Sequence, residues 1–277
     1  MEEPTSLDKQ ISEQTTRSII DELLRGAGQV MFQNNVWTGL LFIVAIFWGA
    51  LREADMMVAW GALLGLATST VTGHILRLPQ NDGQQGLWGF NGILVGCAFP
   101  TFLDENAAMW IALVICAAMT TWVRSGLNNV MAPWKVNSFT FPFVLCSWIF
   151  LLAARAMQGL PIEDMTAPSL PTNFTSLNTI PPLHLLEYWL KGIAQVFLLN
   201  SWEAGLLFLI GLYVSDRWAS LWAAIGSAIA LLCAIALKAA GRRVCIASAP
   251  YLRLSRWQPS FTSRIGTRHC GLRWALL

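Results

Sequence analysis

Charged residues are scarce in this chain of 277 residues. They make up 12% of the sequence, whereas a soluble domain carries about 25%. Hydrophobic residues make up 55%, and the mean hydropathy is +0.51. This composition excludes an ordinary soluble domain and indicates an integral membrane protein embedded in a lipid bilayer.

Motifs for chemistry are also lacking, and their absence removes several classes of function. The sequence has no phosphate-binding Gly-x-x-x-x-Gly-Lys-[Ser/Thr] loop, no His-Glu-x-x-His set and no cysteines at metal-ligand spacing. His74, at the edge of an apolar segment, is expected to be structural rather than part of a proton relay. We therefore expect neither an enzyme nor a metal or cofactor site, and no nucleic-acid partner.

Acidic residues are missing from the C-terminal end. Residues 217–277 contain nine basic residues and no acidic one, while residues 1–216 contain all 16 acidic residues. From Gly241 onward the sequence has no clear apolar span and no periodicity. We expect residues 241–277 to be an aberrant basic tail that arises from a frame shift or truncation of the gene. The alternative is a genuine tail that binds anionic lipid headgroups.

Apolar segments and linkers divide the rest of the chain. Residues 1–18 have no apolar core or cleavage site, so we expect a cytoplasmic lead-in rather than a signal peptide. Residues 158–182 contain no Lys or Arg and are rich in Pro, Thr, Ser and Asn, which predicts an external linker. The linker separates a first membrane repeat, residues 19–157, from residues 183–240. The predicted spans include Val36–Leu51, Met56–Leu76, Ala107–Val123 ending at Arg124, Phe139–Ala156, and Trp218–Leu237.

One short glycine-rich stretch, Gly86–Pro100, is about half the length that a membrane span needs. Its glycines recur every three or four residues, so one helix face lacks side chains. Two interpretations fit: a core helix that packs tightly through this face, or a re-entrant helix that lines a pore. Phe90 and Leu94 lie one turn apart on a different face.

An internal repeat relates the two membrane units. Residues 29–41 align with residues 195–207 at a constant offset of 166, and polar as well as apolar positions match in register. The spans of the first unit are odd in number, so the second copy is predicted to be inserted upside down, with a solute path between the halves. The glycine-rich stretch has no counterpart near residues 247–253. The second repeat, residues 183–240, is therefore predicted to be incomplete.

Three motifs resemble those of the urea transporters, in their bacterial form. They are Gln-Val-x-Phe-Gln-Asn-Asn at Gln29–Asn35, Gly-Leu-x-Gly-Phe-Asn-Gly at Gly86–Gly92, and Val136–Phe143, which keeps the Thr, Pro and last Phe of Leu-Pro-x-x-Thr-x-Pro-Phe. The resemblance implies an all-α integral membrane fold, an inverted repeat of helical spans with a re-entrant pore helix near residues 86–100. It also implies a homotrimer in the cell inner membrane. Lys9 and Arg17 predict a cytoplasmic N-terminus, and with the predicted spans Arg52, Arg124 and Lys135 then also fall on the cytoplasmic side.

The resemblance also implies roles for individual residues. Phe32 and Phe90 would flank an aromatic slot with Leu94 beside them, and Thr140 would offer its hydroxyl at the narrow middle of the pore. The remaining pore-lining positions are Gln29, Gln195 and Val196. The alternatives are that the apolar residues face lipid or pack in the core, and that the Thr140 hydroxyl bonds to the preceding helical turn.

The function implied is passive, channel-like transport of urea, with urea and the lipid bilayer as partners and a cytoplasmic urease as a functional link. Two alternatives remain open. The chain could be a non-conducting, truncated member of the family, or a channel for another small neutral solute such as ammonia.

Overall fold

A computed structural model of the chain describes residues 19–157, 159–162 and 182–239. The predicted lead-in, most of the predicted linker and the predicted basic tail lie outside the described residues. The described chain is helical and has no strand beyond an isolated bridge between Leu103 and Ile162, which confirms the all-α fold class. Its helices are α1 (19–29), α2 (Val36–Arg52), α3 (Met56–Ile75), α4 (Gln80–Gln84), α5 (Phe90–Phe102), α6 (Ala107–Met131), α7 (Phe141–Ala154), α8 (Pro182–Ala194), α9 (Trp202–Ser215) and α10 (Arg217–Ala239).

Several of these helices can cross a membrane. In the described part of the chain, three are long and apolar enough: Met56–Ile75, Ala107–Trp134 and Arg217–Ile235. A fourth candidate is the pair His184–Phe197 and Trp202–Ser215, which is bent by 73° at a short break. α2, α5 and α7 are apolar but shorter. These spans indicate a multi-pass membrane protein.

α2 and α3 each begin directly after a polar residue that caps the helix, at the position that the sequence predicts. Asn35 Oδ1 accepts a hydrogen bond from the Trp37 amide at 2.9 Å, and Asp55 Oδ1 accepts one from the Met57 amide at 3.2 Å. These bonds satisfy amides that the first helical turn leaves without an intrahelical partner. α2 and α3 therefore start at the predicted residues.

The predicted end of α6 is wrong. The span Ala107–Val123 was expected to close at Arg124, as a charge at the membrane edge. Instead α6 continues to Met131 and Arg124 is buried within it, paired with Asp82 of α4. Because the partner neutralises the guanidinium, the helix does not have to end at this charge.

The internal repeat is visible as two breaks of the same shape. Phe32 and Leu198, 166 residues apart, both have a left-handed backbone, with φ of 59° and 58°. In each break the left-handed residue donates its amide to the carbonyl three residues earlier, Gln29 or Gln195, at 3.0 Å. Each break therefore folds the chain back by the same local geometry, so that α1–α2 and α8–α9 form equivalent helix pairs.

Glycines at equivalent positions close both helix pairs. A side chain on Gly39 would overlap the Leu24 carbonyl, and one on Gly205 would overlap the Leu190 carbonyl. Gly39 and Gly205 are again 166 residues apart, and so are Leu24 and Leu190. The matching glycines of the aligned segments thus have a physical reason, which is the close backbone approach within each helix pair.

The equivalent helices α2 and α9 run antiparallel and pack on each other. Near the start of α2, Thr38 Oγ1 donates to the Gly211 carbonyl of α9 at 2.8 Å. At the end of α2, Arg52 Nε lies 3.0 Å from Glu203 Oε1, at the start of α9. Buried rings of Phe42, Phe197 and Phe208 fill the space between these two contacts. Opposite directions of equivalent helices are what an inverted repeat requires.

α5 lies in the centre of the first unit, and every residue from Phe90 to Pro100 is buried. Its glycine face packs on α3, since a Cβ on Gly92 would overlap the Gly65 carbonyl and one on Gly96 would overlap the Gly61 carbonyl. The glycines therefore serve close helix packing. The side chains predicted to line a pore, Phe90 and Leu94, lie on a different face of α5.

The glycine-rich helix begins later than the motif does. Gly86 has φ +74°, and a Cβ there would overlap Gly26 and Arg25 of α1. It therefore belongs to the turn that leads into α5 rather than to the helix. The polar residues before it form the short helix α4.

We predict that Gly92→Ala destabilises the protein, because the new methyl group would overlap Ser69 Oγ as well as the α3 backbone. Overpacking of this kind costs typically ~1–3 kcal/mol. The thermal midpoint of detergent-solubilised protein, followed by circular dichroism, should fall. Gly126→Ala is the matched control, because nothing lies within 4 Å of the new methyl group there. An equal midpoint for both variants would contradict the packing role.

Candidate solute pathway

The break after α1 carries two of the predicted pore residues. Gln29 ends the helix half-buried, and its Nε2 donates a hydrogen bond to the Gln85 carbonyl at 2.9 Å. Phe32 is 64% exposed, and its ring meets the ring of Phe139 edge-to-face at a centroid distance of 5.7 Å. The left-handed backbone of Phe32 costs on the order of 1–3 kcal/mol, and such strain clusters at functional sites. The break is therefore a candidate for function on its geometry alone.

Phe90 and Leu94 lie on the first turns of α5 and are buried, at 4% and 6% exposure. They share an apolar cluster with Val30 of the first break and Phe197 of the second. Their burial excludes a lipid-facing position, and core packing remains the alternative to a pore role. α5 thus packs in the same apolar cluster as residues of both breaks.

Gln195 and Val196 occupy the 3-10 turn Gln195–Phe197, which contacts α5. Both side chains are exposed. Gln195 corresponds to Gln29 in the repeat, but its side chain makes no hydrogen bond to any described residue, whereas Gln29 bonds to Gln85. The two breaks therefore match in backbone and differ in their polar contacts.

Thr140 directly precedes α7 and is half-buried. Its carbonyl accepts from the Val144 amide at 3.2 Å, while its hydroxyl makes no hydrogen bond within the described part of the chain. The alternative that the hydroxyl bonds to a preceding helical turn is therefore wrong. A hydroxyl without a protein partner is able to donate to, and accept from, a polar solute.

Only some of the predicted pore residues are connected by contacts in the structure. Asn91 Nδ2, next to Phe90, donates to the Phe139 carbonyl at 3.3 Å, and the Phe139 ring in turn touches Phe32. Among the described residues, however, no ring contact connects Phe32 with Phe90. Phe139, which the sequence interpretation did not include, contacts Phe32 through its ring and Asn91, the neighbour of Phe90, through its carbonyl.

A buried cation beside Phe90 was also missed. Arg124 Nη1 lies 3.1 Å from Asp82 Oδ2, and its guanidinium carbon is 5.9 Å from the centre of the Phe90 ring. The signal was present in the sequence as helical spacing. Arg124 follows Ala117 and Thr120 at intervals of three and four residues, and all three are buried.

A second polar contact supports the same end of α5. His74 Nε2 lies 2.8 Å from Glu22 Oε2, and the His74 ring meets Trp88 edge-to-face at 4.8 Å. Glu22 is only 4% exposed. His74 therefore has structural partners from α1 and from the turn before α5, in agreement with its expected role.

Apolar spans, a repeat of broken antiparallel helices and polar groups gathered at the breaks define an all-α membrane protein of the transporter class. The family model described as Urea transporter matches residues 20–245. The chain belongs to the urea transporter family, which confirms the resemblance of its motifs.

Curated relatives agree with this assignment. The chain is similar to Urea transporter 1 of Ovis aries, with 27% identity over 223 residues, and to Urea transporter 1 of Mus musculus, with 28% identity over 228 residues. Each match covers 79% of this chain and 57% of the relative. The chain thus spans a little more than half the length of the curated relatives it matches.

We predict that Arg124→Gln destabilises the protein, because it leaves the Asp82 carboxylate without its cation. Removing one partner of a buried pair costs about 3–5 kcal/mol. Since the Asp82 side chain is 32% exposed, we expect roughly 1–3 kcal/mol. Thermal unfolding of the detergent-solubilised protein, followed by circular dichroism, measures this loss of stability. The double variant Asp82→Asn/Arg124→Gln should recover most of it, and a double variant that is no more stable than Arg124→Gln would contradict the pairing.

Proposed function

We propose that this chain forms a passive, channel-like pathway for urea across the membrane. Membership in the urea transporter family supports the choice of solute. The observation that carries the proposal is the packing of both helix breaks with α5. Val30 of the first break and Phe197 of the second lie in one apolar cluster with Phe90 and Leu94, and the turn Gln195–Phe197 contacts α5.

The physical properties of urea fit such a site. Urea is flat, uncharged and strongly polar, so a gap beside aromatic rings admits it edge-on and removes water from its faces. Its N–H groups then need acceptors, which backbone carbonyls at helix breaks supply because they lack intrahelical partners. Non-helical backbone at membrane depth is tolerated where it lines a cavity. Shape and matched hydrogen bonds then select the solute without an ion site.

Each predicted residue has a place in this proposal. The aromatic side chains of Phe32 and Phe90 form the apolar walls, and Leu94 continues the wall one turn further along α5. Thr140 supplies a hydroxyl that has no described protein partner. The remaining lining groups are the side chains of Gln29, Gln195 and Val196.

We also propose a setting for the protein: the cell inner membrane, as a homotrimer with a cytoplasmic N-terminus, linked in function to a cytoplasmic urease. The trimer, the membrane and the urease follow from the family resemblance. The orientation follows from basic residues at the predicted cytoplasmic ends. Arg124 no longer counts among them, because it is buried in an ion pair, whereas Arg52 and Lys135 remain exposed.

The first test is solute flux through the whole protein. In proteoliposomes followed by stopped-flow light scattering, we expect urea to enter faster than in empty liposomes, while glycerol entry stays unchanged. Glycerol is the control because it is polar and neutral but not flat. Urea entry at the rate of empty liposomes would favour the alternative, a non-conducting member of the family.

Side-chain roles are tested by two conservative variants. Thr140→Val keeps the volume but removes the hydroxyl, and we expect urea flux to fall roughly two- to tenfold, as loss of one net hydrogen bond implies. Phe90→Leu keeps an apolar side chain but removes the flat ring, and should lower the preference for urea over methylated ureas. Thr101→Val is the control, because the Thr101 hydroxyl bonds only to the Cys97 carbonyl of its own helix. Equal flux in Thr140→Val and Thr101→Val would contradict the role of Thr140.

A further inference from the structure

The turn before α7 presents an aromatic residue, Phe139, that no motif assigns to the pathway. Its backbone is left-handed, with φ 45°, which a phenylalanine rarely adopts. Its ring is 51% exposed and meets Phe32 at an interplanar angle of 82°. Two strained phenylalanines from distant parts of the chain therefore contact each other at the first break.

A buried amide holds this turn from the side of α5. Asn91 is fully buried, and its Nδ2 donates to the Phe139 carbonyl at 3.3 Å. The hydrogen bond of the turn itself runs from the Phe141 amide to the Ser138 carbonyl at 3.0 Å, so it does not use the Phe139 carbonyl. Asn91 thus binds a backbone carbonyl that the hydrogen bond of the turn itself leaves open.

Stability alone does not account for an asparagine at this position. Asn91 Oδ1 is buried and has no hydrogen-bond partner among the described residues, and the same is true of the nearby Ser138 Oγ. A buried polar atom without a partner costs free energy, so an apolar residue would be the better choice for packing alone. The amide is instead accounted for by the bond that it makes to Phe139.

We propose that Asn91 is a positioning residue that holds Phe139 against Phe32, and that these two perpendicular rings form the aromatic entrance which sets solute width. The inference deepens the proposed function and rests on it for the identity of the solute. Because the rings of Phe32 and Phe139 are perpendicular, they form two adjacent walls of the proposed entrance. Loss of the Asn91 bond would let the Phe139 ring move away and admit wider solutes.

The first experiment compares two solutes of different width. In proteoliposomes, Asn91→Leu should raise the flux ratio of N,N′-dimethylurea to urea by roughly three- to tenfold, the change expected for loss of one net hydrogen bond. Phe139→Leu keeps the bonded carbonyl but removes the ring, and it should raise the ratio in the same direction. Asn91→Asp, which keeps the size of the side chain but loses the donor, should act in the same direction. Thr101→Val, on the same helix, should leave the ratio unchanged. A parallel decrease of both fluxes at a constant ratio would overturn the proposal.

The second experiment does not depend on transport. Hydrogen–deuterium exchange of the full chain in detergent should show the amides of residues 138–144 exchanging roughly three- to tenfold faster in Asn91→Leu and Asn91→Asp, and unchanged in Thr101→Val. Unchanged exchange in the Asn91 variants would overturn the positioning role. If exchange responds while the wild-type protein carries no urea, the positioning role stands and the proposed function fails.

Discussion

The close backbone contact between α3 and α5 determines where everything else in the first unit lies. Between helices in lipid there is no hydrophobic drive comparable to that in water, so small residues that let backbones approach supply much of the association. Gly61 and Gly65 of α3 face Gly96 and Gly92 of α5 without side chains between them. α5 is too short to span a bilayer, and its depth is set by this contact. The contact therefore also determines the depth in the membrane of the side chains on the other faces of α5.

Two polar side-chain pairs lie near the N-terminal end of α5. Glu22 of α1 pairs with His74 of α3, and Asp82 of α4 pairs with Arg124 of α6. Coulomb attraction between Asp82 and Arg124 is stronger away from bulk water, and a buried polar group left unpaired in either contact is costly. The two pairs join four helices at the level where α5 begins. The glycine contact along α5 and the polar pairs near its N-terminal end therefore both position the same short helix.

Sequence reasoning succeeds here where the signal is local and fails where it is not. Asn35 and Asp55 cap their helices within two residues, so the starts of α2 and α3 were predictable. The repeat was visible because polar positions matched at a constant offset. By contrast, Arg124 was taken for a membrane-edge charge, since hydropathy cannot reveal a partner 42 residues away. The same holds for Phe139, whose contact with Phe32 joins segments that share no pattern in sequence.

The antiparallel pair of α2 and α9 has a consequence for the way solute can move. Alternating access requires the two repeats to rock against each other around a fixed site. Here one helix from each repeat runs along the other, with Thr38 bonded to Gly211 at one end and Arg52 paired with Glu203 at the opposite end. Rocking would separate these contacts together with the buried rings between them. For the proposed transport, the packing thus favours a stationary path rather than a rocking movement of the two repeats.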